Sequence, residues 1–144
     1  NGGMNINFKK LHPDAKVPTY AHSHDAGFDV YSTEEVRVLP GARVAVPTGL
    51  AIEIPEGYVG LVWDKSGLSF NHGLKTIGGV IDAGYRGEIK IGLVNVSDTL
   101  YVIKKGDKVA QILIQKVEQA TFQEAEELSD TSRGEGGFGS SGAN

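Results

Sequence analysis

An aspartate stands inside a glycine-framed stretch, "GGVIDAGYRGEI" (78–89), with Gly78 and Gly79 before it, Gly84 and Gly87 after it, and Tyr85 three residues on. Glycines on both sides of Val80-Ile81-Asp82 allow tight bends, which predicts a hairpin whose backbone is open to a flat ligand. Such a hairpin can read a ring through its own N–H and C=O groups. Asp82 follows apolar Ile81 and lies close to Tyr85, and a half-desolvated carboxylate there suits a general base for water. The same residues also fit a plain hairpin with an ordinary turn aspartate.

Other groups are chemically capable. "WDKSGLS" (63–69) sets Lys65, Ser66 and Gly67 at a strand end, ahead of a helical turn. A cation, a hydroxyl and a glycine N–H in that order suit a phosphate cradle; an N-cap serine accounts for them equally well. In "AGFDVYS" (26–32), alternation turns Asp29 away from Phe28 and Val30, which on its own reads as a solvent-facing aspartate near a turn. In "KKGDKVAQILI" (104–114), Gln111 lies opposite Ala110 and Ile112, where its amide either donates to an anion or faces solvent. His22 and His24 share one strand face, but no third metal ligand is near them. No serine sits in a nucleophile elbow. The chain closes on "TSRGEGGFGSSGAN" (131–144). Gly/Ser-rich termini usually behave as flexible coil, yet Arg133 and Phe138 are unusual in a spacer, and glycine N–H groups approach anions closely.

Period-2 alternation supplies the frame for these residues. It pairs Val36 with Val38, Val44 with Val46, and then Leu50, Ile52 and Ile54. It continues with Val59, Leu61 and Trp63, with Ile89, Ile91 and Leu93 opposite Val94 and Val96, and with Ala110, Ile112 and Ile114. Turn signals at "LPGA", "IPEG", "DAGYRG" and "KKGD" separate the runs. Many short strands between Gly/Pro turns predict an all-β sandwich or jelly roll, with short helical turns at "SGLSFNHG" and "QEAEELSD". Residues 1–3, before Met4, read as a cloning scar. Residues 4–118 then form the core, 119–132 an arm suited to a neighbouring subunit, and 133–144 a glycine-rich tail. The 144 residues suit one domain. The absence of cysteine excludes disulfides, zinc–thiolate sites and a cysteine nucleophile, and the net charge of −4 argues against a nucleic-acid partner. No apolar run near 18 residues and no signal peptide are present, so the expectation is a cytoplasmic protein without membrane contact.

Five stretches in order, "AGFDVYS", "DKSGLS", "GVIDAGYRGEI", "GDKVAQILI" and "RGEGGFGSSG", resemble the five motifs of the trimeric deoxyuridine triphosphatase (dUTPase) family, over about residues 6–142. The resemblance implies a jelly-roll subunit in a homotrimer with exchanged C-terminal arms, each site being built from three chains. It implies hydrolysis of dUTP to dUMP and pyrophosphate, with Mg²⁺ on the triphosphate, which limits uracil in DNA and supplies dUMP for dTTP synthesis. By that resemblance Asp82 orients and deprotonates the water and contacts the 3′-hydroxyl, and Tyr85 packs under the sugar and excludes a 2′-hydroxyl. The backbone around Gly78, Gly79 and Val80 reads uracil, with Ile81 and Lys90 also among the substrate-binding residues. Ser66 and Gly67 hold phosphates, with Lys65 and Gln111 beside them, and Asp29 lies near the metal's water shell. Arg133, Gly139, Ser140 and Ser141 clasp the phosphates, and Phe138 stacks on the base.

Water attack on a phosphoryl group needs positioning and charge neutralisation more than covalent chemistry. Two departures stand out. The second motif usually reads Pro-Arg-Ser-Gly; here Asp64-Lys65 stands in its place, losing the guanidinium fork and adding a negative charge. Gly84 replaces an aspartate that often precedes the tyrosine. A dCTP deaminase of the same fold needs a glutamate on the strand after the hairpin, where this chain has Asn95 and no acid between Glu88 and Asp98. A silent nucleotide sensor is the alternative from another class.

Overall fold

The computed structural model describes residues 3–137 and residue 139. Among them the chain forms strands β1 (Asn7–Lys10), β2 (Phe28–Tyr31), β3 (Val36–Val38), β4 (Arg43–Pro47), β5 (Leu50–Glu53) and β6 (Tyr58–Trp63). Helix α1 (Ser66–His72) follows, and then β7 (Leu74–Ile77), β8 (Val80–Ile81), β9 (Lys90–Asn95), β10 (Tyr101–Ile103) and β11 (Lys108–Lys116). All strand pairings are antiparallel: a four-stranded sheet β2-β11-β6-β8, a three-stranded sheet β4-β9-β7, and the two-stranded pairs β1-β5 and β3-β10. The subunit is the expected all-β, jelly-roll-like sandwich.

Alternation builds one core from all four sheets. Val30, Ala110 and Ile112 come from the four-stranded sheet, Val46, Ile91, Leu93 and Leu74 from the three-stranded one, and Val38, Ile103 and Ile52 from the pairs; all are buried. The turn signals work as read. In three of them Gly41, Gly57 and Gly106 take φ of 77°, 87° and 87°, and the N–H of the following residue closes the turn on Leu39, Pro55 and Lys104.

Three features differ from the alternation pattern. On β6 the core takes the other face, with Tyr58 and Val62 packed inward and Gly60 buried, while Trp63 is 52% exposed. Close packing sets this phase: a Cβ on Gly60 would lie 2.6 Å from Ile54 Cδ1. Val59, Leu61 and Trp63 are thereby left on the outer face of the sheet. On β11 the register with β2 shifts between Lys108 and Ala110, so Val109 and Ala110 are both buried. On β9 the inward face continues to Asn95, whose amide donates to the Val38 and Thr99 carbonyls and whose oxygen accepts from Ser97. Strands β1, β7 and β10 had no clear alternation signal; every residue of β1 is exposed.

The "SGLSFNHG" helical turn is α1, closed by Gly73 in the left-handed region. The turn expected at "QEAEELSD" does not form: residues 117–132 carry no helix or strand, and Phe122 and Leu128 are 95% and 88% exposed. A short segment carrying Glu124, Glu126, Glu127 and Asp130, with no apolar surface beneath it, does not recover the cost of helix nucleation.

Candidate active site

The glycine-framed stretch does not form the expected hairpin: its one strand, β8, pairs with β6 through Gly60↔Ile81 and Leu61↔Val80, while the flanking β7 and β9 belong to the other large sheet. Gly78 and Gly79 lead into β8 with φ of 71° and 115°, and a Cβ on Gly79 would press to 3.2 Å from the Val62 carbonyl oxygen. The Val62 N–H donates to the Gly79 carbonyl at 2.8 Å, so this close approach is itself hydrogen-bonded. Beyond Ile81 the Tyr85 N–H donates to the Asp82 carbonyl at 3.1 Å and closes a turn. The Tyr85 hydroxyl donates to the Glu88 carbonyl at 2.7 Å, which fixes the ring across Gly87.

These bends enclose a cleft of about 490 Å³ lined by Val62, Gly79, Val80, Ile81, Asp82, Tyr85, Glu88, Ile89 and Lys90. That volume is within the roughly 300–1,000 Å³ typical of small-molecule sites. Six of the residues singled out in the sequence therefore meet in one place, and Gly78, with Trp63, Lys75 and Thr76, lines a smaller adjoining hollow of about 220 Å³ that shares Val62, Gly79 and Val80 with the cleft. Val62, Glu88 and Ile89 were not singled out; Glu88 Oε2 accepts the Gly49 N–H at 3.0 Å. One expectation needs correction. Asp82 is exposed rather than half-desolvated, because it stands in the turn beyond β8 with no neighbouring side chain covering it.

A second cluster is made of residues that do not line the cleft. Strand β11 runs between β2 and β6, and its register places Gln111 between Asp29 and Trp63. Asp64 and Lys65 follow directly on Trp63, so Asp29, Gln111, Lys65, Ser66 and Gly67 gather at one end of the sheet. Asp29 faces away from Phe28 and Val30, as alternation requires, but it is not solvent-facing: it is 1% exposed. The Lys65 ammonium lies 2.7 Å from Asp29 Oδ1 and the Lys108 ammonium 3.3 Å from Oδ2. Both contacts fall outside hydrogen-bonding geometry, so the two buried oxygens remain without a donor. Lys108 was not singled out; it reaches Asp29 only through strand pairing. Gln111 Nε2 donates one of its two N–H groups to the Asp64 carbonyl at 2.9 Å, which fixes the amide beside the Lys65–Gly67 turn. The first helical turn leaves the Ser66 and Gly67 N–H groups without intrahelical acceptors, and the space beside Gly67 is open.

The Asp64 carboxylate does not face the Ser66-Gly67 turn as a free charge. Its Oδ1 accepts the Thr76 N–H at 2.7 Å and its Oδ2 accepts the Lys75 ammonium at 2.9 Å. Partial burial pushes its pKa up, but the hydrogen bonds from Thr76 and Lys75 more than offset this and hold it below the ordinary value of 3.8.

Among the described residues no group of three or more His, Cys, Asp or Glu could hold a metal ion, His22 and His24 included. Asp29 is buried and already faces the Lys65 and Lys108 ammonium groups, so it offers no open oxygen to a hydrated Mg²⁺; such an ion would be carried chiefly by a ligand's phosphates, because Mg²⁺ keeps several waters and needs few protein carboxylates. In the tail, the Arg133 Nε–H donates to the Gly136 carbonyl and the Gly136 N–H returns to the Arg133 carbonyl. Gly139 has φ of 92°. Phe138, Ser140 and Ser141 lie outside the described residues.

Known proteins give this geometry its context. The family model described as dUTPase matches residues 13–142. A deoxyuridine 5'-triphosphate nucleotidohydrolase of Thermobifida fusca is 46% identical, over 98% of this chain and 80% of the relative, and one of Nautilia profundicola is 48% identical, over 96% and 99%. Among solved structures, a mutant of the Staphylococcus bacteriophage 80alpha dUTPase with dUpNHpp superposes with a TM-score of 0.92 at 33% identity, covering 96% of this chain and 99% of that one. A mutant dUTPase of S. aureus phage phi11, which coordinates a structural Mg(II) ion, superposes at 0.81 with 31% identity, covering 86% and 98%. A glycine-framed Asp-Tyr cleft, a separate lysine-serine turn and a family match over nearly the whole chain coincide: the chain belongs to the dUTPase family.

Proposed function

We propose that the protein hydrolyses dUTP to dUMP and pyrophosphate in a homotrimer whose sites are shared between chains. The observation that carries this reading is the division of the site. The cleft around Asp82 and Tyr85 is lined by none of Lys65, Ser66, Gly67, Gln111 or Asp29, and a neighbouring chain that brings its own copy of that cluster to the cleft would complete the site. Two further features support the trimer: the outward apolar face with Trp63 and Val80, 52% and 68% exposed, and the arm with bare Phe122 and Leu128. The proposed work is cytoplasmic nucleotide metabolism; no helix among the described residues is long and apolar enough to cross a membrane.

In this reading the base enters the cleft beside β8 and meets backbone around Gly78, Gly79 and Val80, with Ile81 and Lys90 completing that side. Uracil has no exocyclic amine at C4; a backbone N–H aimed at O4 faces a donor-to-donor conflict with cytosine. Tyr85, held by its bond to the Glu88 carbonyl, lies under the sugar and leaves no room for a 2′-hydroxyl. Asp82 shares the sugar end of the cleft, which makes the α-phosphorus the nearest reacting centre. Its carboxylate takes a proton from water as the water oxygen bonds to that phosphorus, and the bond to the β-phosphate oxygen breaks to release pyrophosphate. Lys65, Ser66 and Gly67 of a neighbouring chain hold the phosphates. Bound Mg²⁺ would neutralise triphosphate charge and be held chiefly by the phosphates and water, while Asp29 fixes the Lys65 ammonium beside them. From a further chain Arg133 clamps the terminal phosphate beside Gly139, Ser140 and Ser141, and Phe138 stacks on the base.

Pyrophosphate release from dUTP, dCTP, dTTP and UTP tests the reading. Turnover of dUTP alone is expected, and Tyr85→Ala narrows the dUTP/UTP gap. Ammonia release from dCTP, or no turnover of any of the four, overturns it.

A further inference from the structure

The Lys65–Gly67 turn is poorly anchored by its own helix. Helix α1 buries no residue fully and rests on the core through the half-buried Leu68, and Lys65, at its N-cap, makes no side-chain capping bond but pairs with Asp29. Asp64 supplies what the helix lacks. Its carboxylate binds the Thr76 N–H and the Lys75 ammonium, both on β7, while its carbonyl accepts Gln111 Nε2 from β11. Strand β7 is the edge of the order β4-β9-β7, so the outward Thr76 N–H has no strand to bond, and the carboxylate answers it. One residue therefore ties the turn to two different sheets.

We infer that Asp64 is a positioning residue for the phosphate half of the site, with Lys75 as its partner. The inference rests on the dUTP reading above. The carboxylate fixes where Lys65, Ser66 and Gly67 stand, and its carbonyl orients Gln111 beside them. The Lys75 ammonium, 2.9 Å away, cancels the negative charge that Asp64 brings near a triphosphate. A displaced cradle loses phosphate contacts but leaves the β8 cleft intact, so the loss falls on the triphosphate and not on the nucleoside; misplacement by about 1 Å can cost on the order of a hundredfold.

The test measures dUTP turnover together with the affinities of deoxyuridine and of dUpNHpp for wild type, Asp64→Ala, Asp64→Asn and Lys75→Met. Asp64→Ala is expected to raise KM for dUTP and weaken dUpNHpp binding by about tenfold, with deoxyuridine affinity changed less than twofold. Asp64→Asn keeps an acceptor for the Thr76 N–H and recovers most of the loss; Lys75→Met shows a smaller loss of the same selectivity. Unchanged dUpNHpp affinity in Asp64→Ala overturns the inference, as does an equal loss for deoxyuridine and dUpNHpp, which marks a merely structural residue. If Asp64→Ala does not fold, Asp64→Asn and Lys75→Met decide: a two- to threefold loss confined to dUpNHpp supports the inference, and no loss sinks it. Wild-type protein inactive on dUTP breaks the functional reading instead, and the dUpNHpp comparison still reports on Asp64.

Discussion

Asp29 and Asp82 each follow an apolar residue, yet their surroundings give them opposite characters. Asp29 is sealed beneath two lysines, while Asp82 stands at an open cleft. Alternation told which face Asp29 takes but not that the face is covered, because Lys65 and Lys108 arrive from segments far along the chain. Asp82 was legible because its glycine frame is local. Asp82→Asn keeps the shape and loses the base, so dUTP binding should persist while turnover falls roughly a hundredfold or more; near-normal turnover would refute the role. Lys65 carries two duties, and its substitution separates them. Lys65→Ala leaves Asp29 with Lys108 alone and should cost roughly 1–3 kcal/mol of stability in urea denaturation, discounted because Lys65 is partly exposed. It should also weaken triphosphate binding. Lys65→Arg retains the charge on Asp29 and should bind at least as well as wild type. Strong loss in Lys65→Arg would mean that the pocket fits only an ammonium.

At the scale of elements, the strands were readable wherever alternation was long, and the errors follow from packing. On β6 both faces are apolar, so hydrophobicity could not choose between them; the side-chain-free Gly60, pressed under Ile54, made the choice. The short β7 gave no pattern, yet it receives the Asp64 bridge that joins the two larger sheets. That bridge carries a pH signature. The folded pKa of Asp64 is depressed below 3.8, so its contribution to stability is fully present above that value and is lost as pH falls through the folded pKa. The melting temperature of Asp64→Asn should therefore lie below that of wild type at pH 7, and the gap should shrink as both are acidified below pH 3.8. A gap constant across that range would show that the ion pair adds nothing and that the Thr76 bond alone matters.

At the scale of the molecule, the residues of the lysine-serine turn do not line the cleft around Asp82 and Tyr85. No periodicity could have said so, because strand pairing, not alternation, sets where each group lies. The tail carries the last consequence. Arg133 spends its Nε–H on the Gly136 carbonyl, which leaves its terminal N–H groups to grip a phosphate. Closure over a nucleotide must repay the conformational freedom that a glycine-rich segment gives up. A triphosphate offers Arg133 a charge-assisted partner; a monophosphate offers far less. Truncation after Thr131 keeps the core strands, the outward Trp63 face and the arm, and should leave a species of three times the 15.3 kDa chain mass in light scattering, apart from the few residues removed. It should nonetheless reduce dUTP turnover by orders of magnitude, because closure excludes water and fixes the triphosphate for in-line attack. Phe138→Ala should give a milder defect. In the full chain, amide exchange over 133–142 should slow with dUpNHpp and much less with dUMP. A truncated protein of full activity would make the tail a spacer, and a monomer at micromolar concentration would remove the shared site on which the clasp depends.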